Sequence, residues 1–319
     1  MVLNLHEIEK ARERIAPYIV KTPLLRLKNL DKYLGCEVYV KPECMQNTGS
    51  FKYRGAMNKI LSLTEDELQR GIVAASSGNH GKAIAYAAKM LGVKATIVLP
   101  YSAAKVKEDI IRSLGAEVVH CDVAERFEVA ERLCRERNAT LAPPFNDETV
   151  MGGQGTAGLE IMDACPDLDA VIVPVSGGGL IGGLSTAVKA VSPRTKVYGA
   201  EPAVLPRYAV SLKAGKPVMV EKKTSIADGL ISLIPGNVCF PYVAANTDGF
   251  AGVGGEYILK GMKLLLLEGK VLCEPTSGIT LGAVLQGLLP VKKTDKVCFF
   301  ISGGSVSLEQ IKKLEDVSI

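Results

Sequence analysis

Residues 168–183 read LDAVIVPVSGGGLIGG. An apolar, largely β-branched run over 168–175 breaks at Ser176 into a loop carrying Gly177, Gly178, Gly179, Gly182 and Gly183, and an apolar helical segment follows. A strand with so little polar alternation belongs in a sheet that is covered on both faces. Without Cβ atoms the loop can turn sharply and aim several backbone N–H groups at one anion, reinforced by the N-terminus of the helix. The stretch therefore predicts an α/β sheet with a phosphate-like group held beyond the carboxyl end of one strand.

The same alternation extends outward in both directions. Strands are predicted over 36–43, 72–77, 94–100, 117–122, 168–175, 196–201, 270–275 and 296–302, with helical patterns over 81–92, 103–115 and 123–138 between them. Gly92 and Gly115 stand where helix C-cap glycines belong. Alternating β and α segments imply a doubly wound α/β architecture. Pro143, Pro144 and a first glycine cluster interrupt the alternation and mark a boundary near 143–155. Ligands of open α/β sheets gather at strand ends, which singles out the loops after Ser77, Val175 and Ile301.

Composition excludes several other classes. The 319 residues are 47% hydrophobic and 23% charged, an ordinary globular mix, and the net charge of +4 is too small and dispersed for a nucleic-acid or membrane surface. Nine of the 32 glycines fall between Gly152 and Gly183, so the excess is local. The opening MVLNLHEIEKARERI is amphipathic and charged throughout, unlike a signal peptide, and no run reaches the ~18 apolar residues of a membrane span. Eight cysteines are scattered without a CxxC pair, as expected of reduced core residues in a cytoplasmic protein.

Three constellations carry chemistry. The glycine loop also satisfies a dinucleotide fingerprint, Gly177-x-Gly179-x-x-Gly182, with Glu201 ending the next strand 19 residues on, so an NAD oxidoreductase stays open on these residues alone. A second match, Gly153-x-Gly155-x-x-Gly158, lacks a preceding strand. In Ser76-Ser77-Gly78-Asn79-His80-Gly81, hydroxyls, an amide and exposed N–H groups between a strand and a helix suit a carboxylate or a polar ring substituent. Lys52, flanked by Phe51 and Tyr53 and near Arg54, is placed for desolvation and a lowered pKa, the condition for Schiff-base chemistry. The three histidines show no zinc-ligand spacing, and there is no GxSxG elbow. A non-catalytic α/β ligand-binding protein also stays open.

Taken together, Ser50-Phe51-Lys52-x-Arg54-Gly55-Ala56, the 76–81 segment, the 177–180 loop and Ser302-Gly303-Gly304 have an order and spacing that resembles the fold-type II pyridoxal-phosphate enzymes, in particular the serine/threonine dehydratases and serine racemases. The likeness covers nearly the whole chain and takes in Gly153-Gln154-Gly155-Thr156, Ile226-Ala227-Asp228-Gly229 and Glu274-Pro275-Thr276-Ser277-Gly278. It implies two open, mostly parallel sheets with helices on both faces, of the tryptophan synthase β type. It further implies a large cofactor-binding domain of 1–70 and 148–319, a small mobile domain of 71–147, and a homodimer.

The resemblance also implies site roles. Lys52 would carry pyridoxal phosphate as a Schiff base, and the backbone of Ser176, Gly177, Gly178, Gly179 and Leu180 would hold its phosphate. Asn79 would meet the ring hydroxyl and Ser302 the pyridine nitrogen, with Phe51 and Glu274 completing the cofactor contacts. Ser76, Ser77, Gly78, Asn79 and His80 would take the carboxylate of a small amino-acid substrate. A neutral serine at the ring nitrogen disfavours its protonation, and so favours loss of a β-hydroxyl over transamination. The expected reaction is β-elimination of L-threonine or L-serine to ammonia with 2-oxobutanoate or pyruvate. Serine racemase and 3-hydroxyaspartate dehydratase are the alternatives within the family.

Ser77 stands where racemases keep an acid–base group opposite the lysine. The racemases' divalent-cation site uses an acidic pair after the strand 196–201. This chain keeps Glu201 but has Arg207 in place of the second acid, which disfavours a cation electrostatically, while Glu201 with a carbonyl could still bind a divalent cation weakly. Phe145, Pro235 and Gly236 look more like the dehydratases. The sequence ends 17 residues after Ser302, so feedback control by a following regulatory domain is not expected.

Overall fold

Two parallel cores are built on the alternation seen in the sequence. The computed structural model describes residues 2–76 and 78–319. Its strands are β1 (Leu25–Arg26), β2 (Glu37–Pro42), β3 (Ile72–Ala75), β4 (Ala95–Pro100), β5 (Glu117–Cys121), β6 (Thr140–Leu141), β7 (Ala170–Pro174), β8 (Lys196–Pro202), β9 (Gly249–Val253) and β10 (Lys296–Ile301). A six-stranded sheet runs β1-β2-β10-β7-β8-β9, and a four-stranded sheet runs β5-β4-β3-β6. Every pairing is parallel except β1 with β2.

The large sheet is apolar on both faces because successive side chains point to opposite sides of a strand. Ala170, Ile172, Val297, Phe299 and Ile301 join one core, against Ile258, Met262, Leu265 and Ile279. Their neighbours Val171, Val173, Cys298 and Phe300 join the other, against Ile161, Ile181, Leu184 and Val188. Each buried Val, Ile, Leu, Met or Phe among these contributes roughly 1.5–3 kcal/mol by leaving water. In the small sheet Ile72, Ala74, Ile97 and Leu99 face one side and Val73, Ala75 and Val98 the other.

Several expectations change in detail. The segment 270–275 is not a strand. Lys270 has φ +55°, and Pro275, which has no N–H to give a ladder, opens the helix Pro275–Leu285. The strand Gly249–Val253 pairs with β8, although Gly249 and Gly252 dilute its apolar pattern. The glycines at 152–158 lie inside the helix Glu148–Ala164 rather than in a loop. They let helices approach closely: a Cβ on Gly153 would lie 2.6 Å from the Arg54 carbonyl oxygen, and one on Gly155 would lie 2.8 Å from that of Gly183.

The loops after β3, β7 and β10 all sit at the carboxyl ends of their strands. All eight cysteines are free thiols. Among the described residues no helix is long and apolar enough to cross a membrane.

Candidate active site

Lys52 opens the helix Lys52–Leu61. The chain leading into it is stitched to the end of β10: the Phe51 N–H donates to the Ser302 carbonyl at 3.0 Å, and Ser50 pairs with Gly303. Its Nζ donates to the Pro144 carbonyl oxygen at 2.5 Å and lies 5.2 Å from the centre of the Phe51 ring. Burial disfavours the ammonium form and lowers its pKa to about 8. A thiolate at Cys239 would oppose this shift, but burial pushes that thiol up to about 12 and keeps it neutral.

The other two flanking residues behave differently from the expectation. Tyr53 turns away and meets Tyr86 edge-on at 5.4 Å. Arg54 is fully buried and spent on carboxylates, at 2.7 and 2.8 Å from Glu43 and at 2.8 Å from both oxygens of Glu160. Lys41 also reaches Glu160, at 2.5 Å. The two cations and two anions neutralise one another, so this cluster fixes the helix carrying Lys52 rather than depressing the lysine. Successive helical residues point about 100° apart, which is why three adjacent side chains meet three environments.

The glycine loop lies close to the segment that holds Lys52. Gly178, at φ +104°, is left-handed and N-caps the helix Gly179–Val191. A Cβ there would sit 1.9 Å from the Tyr208 hydroxyl, and one on Gly177 would sit 2.4 Å from the Phe145 ring. Phe145 follows Pro144, so one short segment touches both the lysine and the loop. The Gly177 carbonyl accepts from Gly236 N–H at 2.9 Å and from the Tyr208 hydroxyl at 3.1 Å, and Ser176 Oγ accepts from Ser232 N–H at 3.2 Å. The N–H groups of Gly177, Gly178, Gly179 and Leu180 take no acceptor among the described residues. They are free for an anion at a helix N-terminus.

A third group joins the two sheets. Asn79 begins the helix Asn79–Leu91 after β3, and its Nδ2 donates to both Glu274 oxygens at 3.0 and 3.3 Å. The Ser305 hydroxyl donates to Asn79 Oδ1 at 2.5 Å. Burial raises the Glu274 carboxyl to about 7, with the Asn79 bond opposing the shift. Ser302 is buried, and its hydroxyl lies 3.2 Å from that of Ser277.

In the 76–80 loop, Ser76 Oγ accepts from Gly78 N–H at 3.2 Å. His80 Nε2 lies 2.8 Å from the Ala142 carbonyl, which assigns the proton to that nitrogen. Burial lowers its pKa to about 3, so the ring is neutral and offers no cation to a carboxylate. Ser77 lies outside the described residues. Glu201 accepts from the N–H groups of Tyr208 and Ala209, both at 2.9 Å. Among the described residues no group of three or more His, Cys, Asp or Glu side chains is gathered to hold a metal.

A lysine of depressed basicity, a side-chain-free cradle with unclaimed N–H groups, and a buried hydroxyl at Ser302 fit an aldehyde, a phosphate and a neutral pyridine respectively. Pro144, Tyr208 and Ser277 complete the arrangement. Ser277 stood inside a motif without an assigned role, and Pro144 and Tyr208 were signalled only by their neighbours, because each meets its partner through the fold.

The family model described as pyridoxal-phosphate dependent enzyme matches residues 15–303. This chain belongs to that family. It is 39% identical over 315 residues to the L-threonine ammonia-lyase of Thermotoga maritima, covering 98% of this chain and 78% of that one. The solved serine racemase of Dictyostelium discoideum superposes with a TM-score of 0.91 at 41% identity, over 96% of this chain and 99% of the other. The solved T.th. threonine deaminase gives a TM-score of 0.90 at 40% identity, again over 96% and 99%. Within the family the chain falls in the group of threonine dehydratases and serine racemases.

Proposed function

We propose that this protein eliminates water from L-threonine and L-serine by β-elimination, and that the released enamine takes up water to give ammonia with 2-oxobutanoate or pyruvate. The observation that carries the reading is Lys52, half-buried, held at the Pro144 carbonyl and with a pKa of about 8. Lys52 would hold pyridoxal phosphate covalently, the 176–180 backbone its phosphate, Asn79 its ring hydroxyl and Ser302 its ring nitrogen. When bound, the cofactor supplies a sink for the negative charge left at Cα.

The chain's own residues do the rest. A lysine with a pKa near 8 is partly neutral at physiological pH, so Nζ can take the Cα proton of a bound amino acid. The Pro144 carbonyl orients that amine, and the Phe51 ring shields one side of it. Backbone N–H groups at the start of the helix Asn79–Leu91 suit the substrate carboxylate. The bonds from Asn79 to Glu274 and Ser305 join the loop after β3 to the large sheet. They support a small domain, 71–147, that closes over a larger one made of 1–70 and 148–319.

The second reading is serine racemase, favoured by relatives of that name, one of them 40% identical over 320 residues, and by Ser77 as the acid–base group for the opposite face. Turnover of L-Ser, L-Thr, D-Ser and L-threo-3-hydroxyaspartate, with keto acid and chirality scored separately, tests both. Keto acid formed from L-Thr and L-Ser faster than D-serine appears is expected. Racemisation outpacing keto-acid release on L-Ser would overturn the dehydratase reading.

A further inference from the structure

The divalent-cation site implied at Glu201 does not fit this chain, because a fixed cation is already there. Arg207 is fully buried, and its Nη1 and Nη2 donate to the carbonyls of Val175 at 3.0 Å and Leu230 at 2.8 Å. It neighbours Glu201, whose charge favours the guanidinium against the cost of burial. Both Glu201 oxygens accept backbone N–H groups from the first turn of the helix Arg207–Ala214, which fixes the turn that presents Arg207 and Tyr208.

We propose that Arg207 is a positioning residue for the glycine loop and stands in for a divalent cation beside Glu201, so that the loop is organised without metal. The peptide unit is planar and trans, so its C=O and N–H point in opposite directions. Arg207 holds the Val175 carbonyl, which turns the Ser176 N–H the other way. The neighbouring Tyr208 hydroxyl holds the Gly177 carbonyl at 3.1 Å and so turns the Gly178 N–H in the same sense. Two alternate peptides at the entrance of the cradle are thus set by adjacent side chains on one helix turn. Removing Arg207 would release the carbonyl oxygens of Val175 and Leu230. Adding a carboxylate at the same position would make an all-oxygen set of the kind magnesium prefers.

The proposal rests on the reading that this loop holds the cofactor phosphate, and the experiment separates the two. Calorimetric titration of the cofactor-free, unaltered protein with MgCl2 or MnCl2 is expected to show no site tighter than about 0.1 mM. Its affinity for pyridoxal phosphate, read from imine absorbance, is expected to be the same in chelator and in MgCl2. Arg207→Met is expected to weaken cofactor affinity about 10- to 100-fold, since two bonds from a charged donor are lost, with no recovery on adding metal. Arg207→Asp is expected to weaken it similarly in chelator and to recover in MgCl2, while Arg207→Lys falls between Arg207→Met and the unaltered chain.

A tight metal site in the unaltered protein, chelator sensitivity of its cofactor binding, or unchanged affinity in Arg207→Met would each overturn the proposal. The first of these decides the metal question even if the variants do not fold. Failure of the unaltered protein to form an imine under any condition would instead refute the proposed function.

Discussion

Glu274→Gln tests the electrostatics of the site with Lys52 kept in place, although it removes a charge that favours the lysine's ammonium form. Glu274 is buried against Asn79 and Gly303, and burial raises its carboxyl from 4.5 to about 7. Between those pH values the native protein keeps a proton that the unfolded chain has lost. Stability therefore falls as pH rises from 4.5 to about 7 and is flat above it. At roughly 1.4 kcal/mol per pH unit, the displacement amounts to about 3 kcal/mol. Glutamine has the same shape, carries no charge and can still accept from Asn79 Nδ2. The variant is thus expected to be more stable than the unaltered protein by up to about 3 kcal/mol at about pH 8, and equal to it near about pH 4. Urea unfolding of both cofactor-free proteins across this range, followed by two probes, gives the difference curve. Parallel curves, or a variant less stable at the alkaline end, would refute the assignment of a costly buried charge at this position.

Other perturbations address the remaining parts. In cofactor-free protein, acylation of Lys52 is expected to rise through an apparent pKa of about 8, whereas exposed lysines follow ~10.4; peptide mapping with pH-dependent labelling separates them. Gly178→Ala would force a side chain into a left-handed position and against the Tyr208 hydroxyl, so a loss of about 1–3 kcal/mol in stability and at least about tenfold in cofactor affinity is expected, read by denaturation and imine absorbance. Glu43→Gln leaves Arg54 with one carboxylate in a dry site, and thermal unfolding is expected to report a cost of about 3–5 kcal/mol.

The strands around the site were legible because both faces of the large sheet are covered, so β7 and β10 are apolar at nearly every position. The apolar run at 270–275 misled for a related reason. Val271 and Cys273 are buried, but burial is shared by strands and by the coil that enters a helix, and only Lys270 and Pro275 mark the difference. Glycine was ambiguous in the same way. At 177–179 its missing side chain makes a turn with unclaimed N–H groups, while at 153–158 it lets two helices touch. Lys52 could be singled out from its motif. Its acceptor, Pro144, could not, since 92 residues separate them in the chain and only the fold brings them together. Arg54 was noticed as a neighbour in sequence, but its two carboxylate partners come from Glu43 and from a helix more than a hundred residues on.

The segment holding Pro144 and Phe145 follows the last strand of the small sheet and precedes the helix Glu148–Ala164 against which the large sheet packs. It is therefore both a connector and part of the reactive centre. A shift of this segment would move together the oxygen that accepts the Lys52 hydrogen bond and the ring seated against Gly177. A main-chain oxygen rather than a side chain thus holds the amine, so a substitution at position 144 cannot remove the acceptor without moving the backbone.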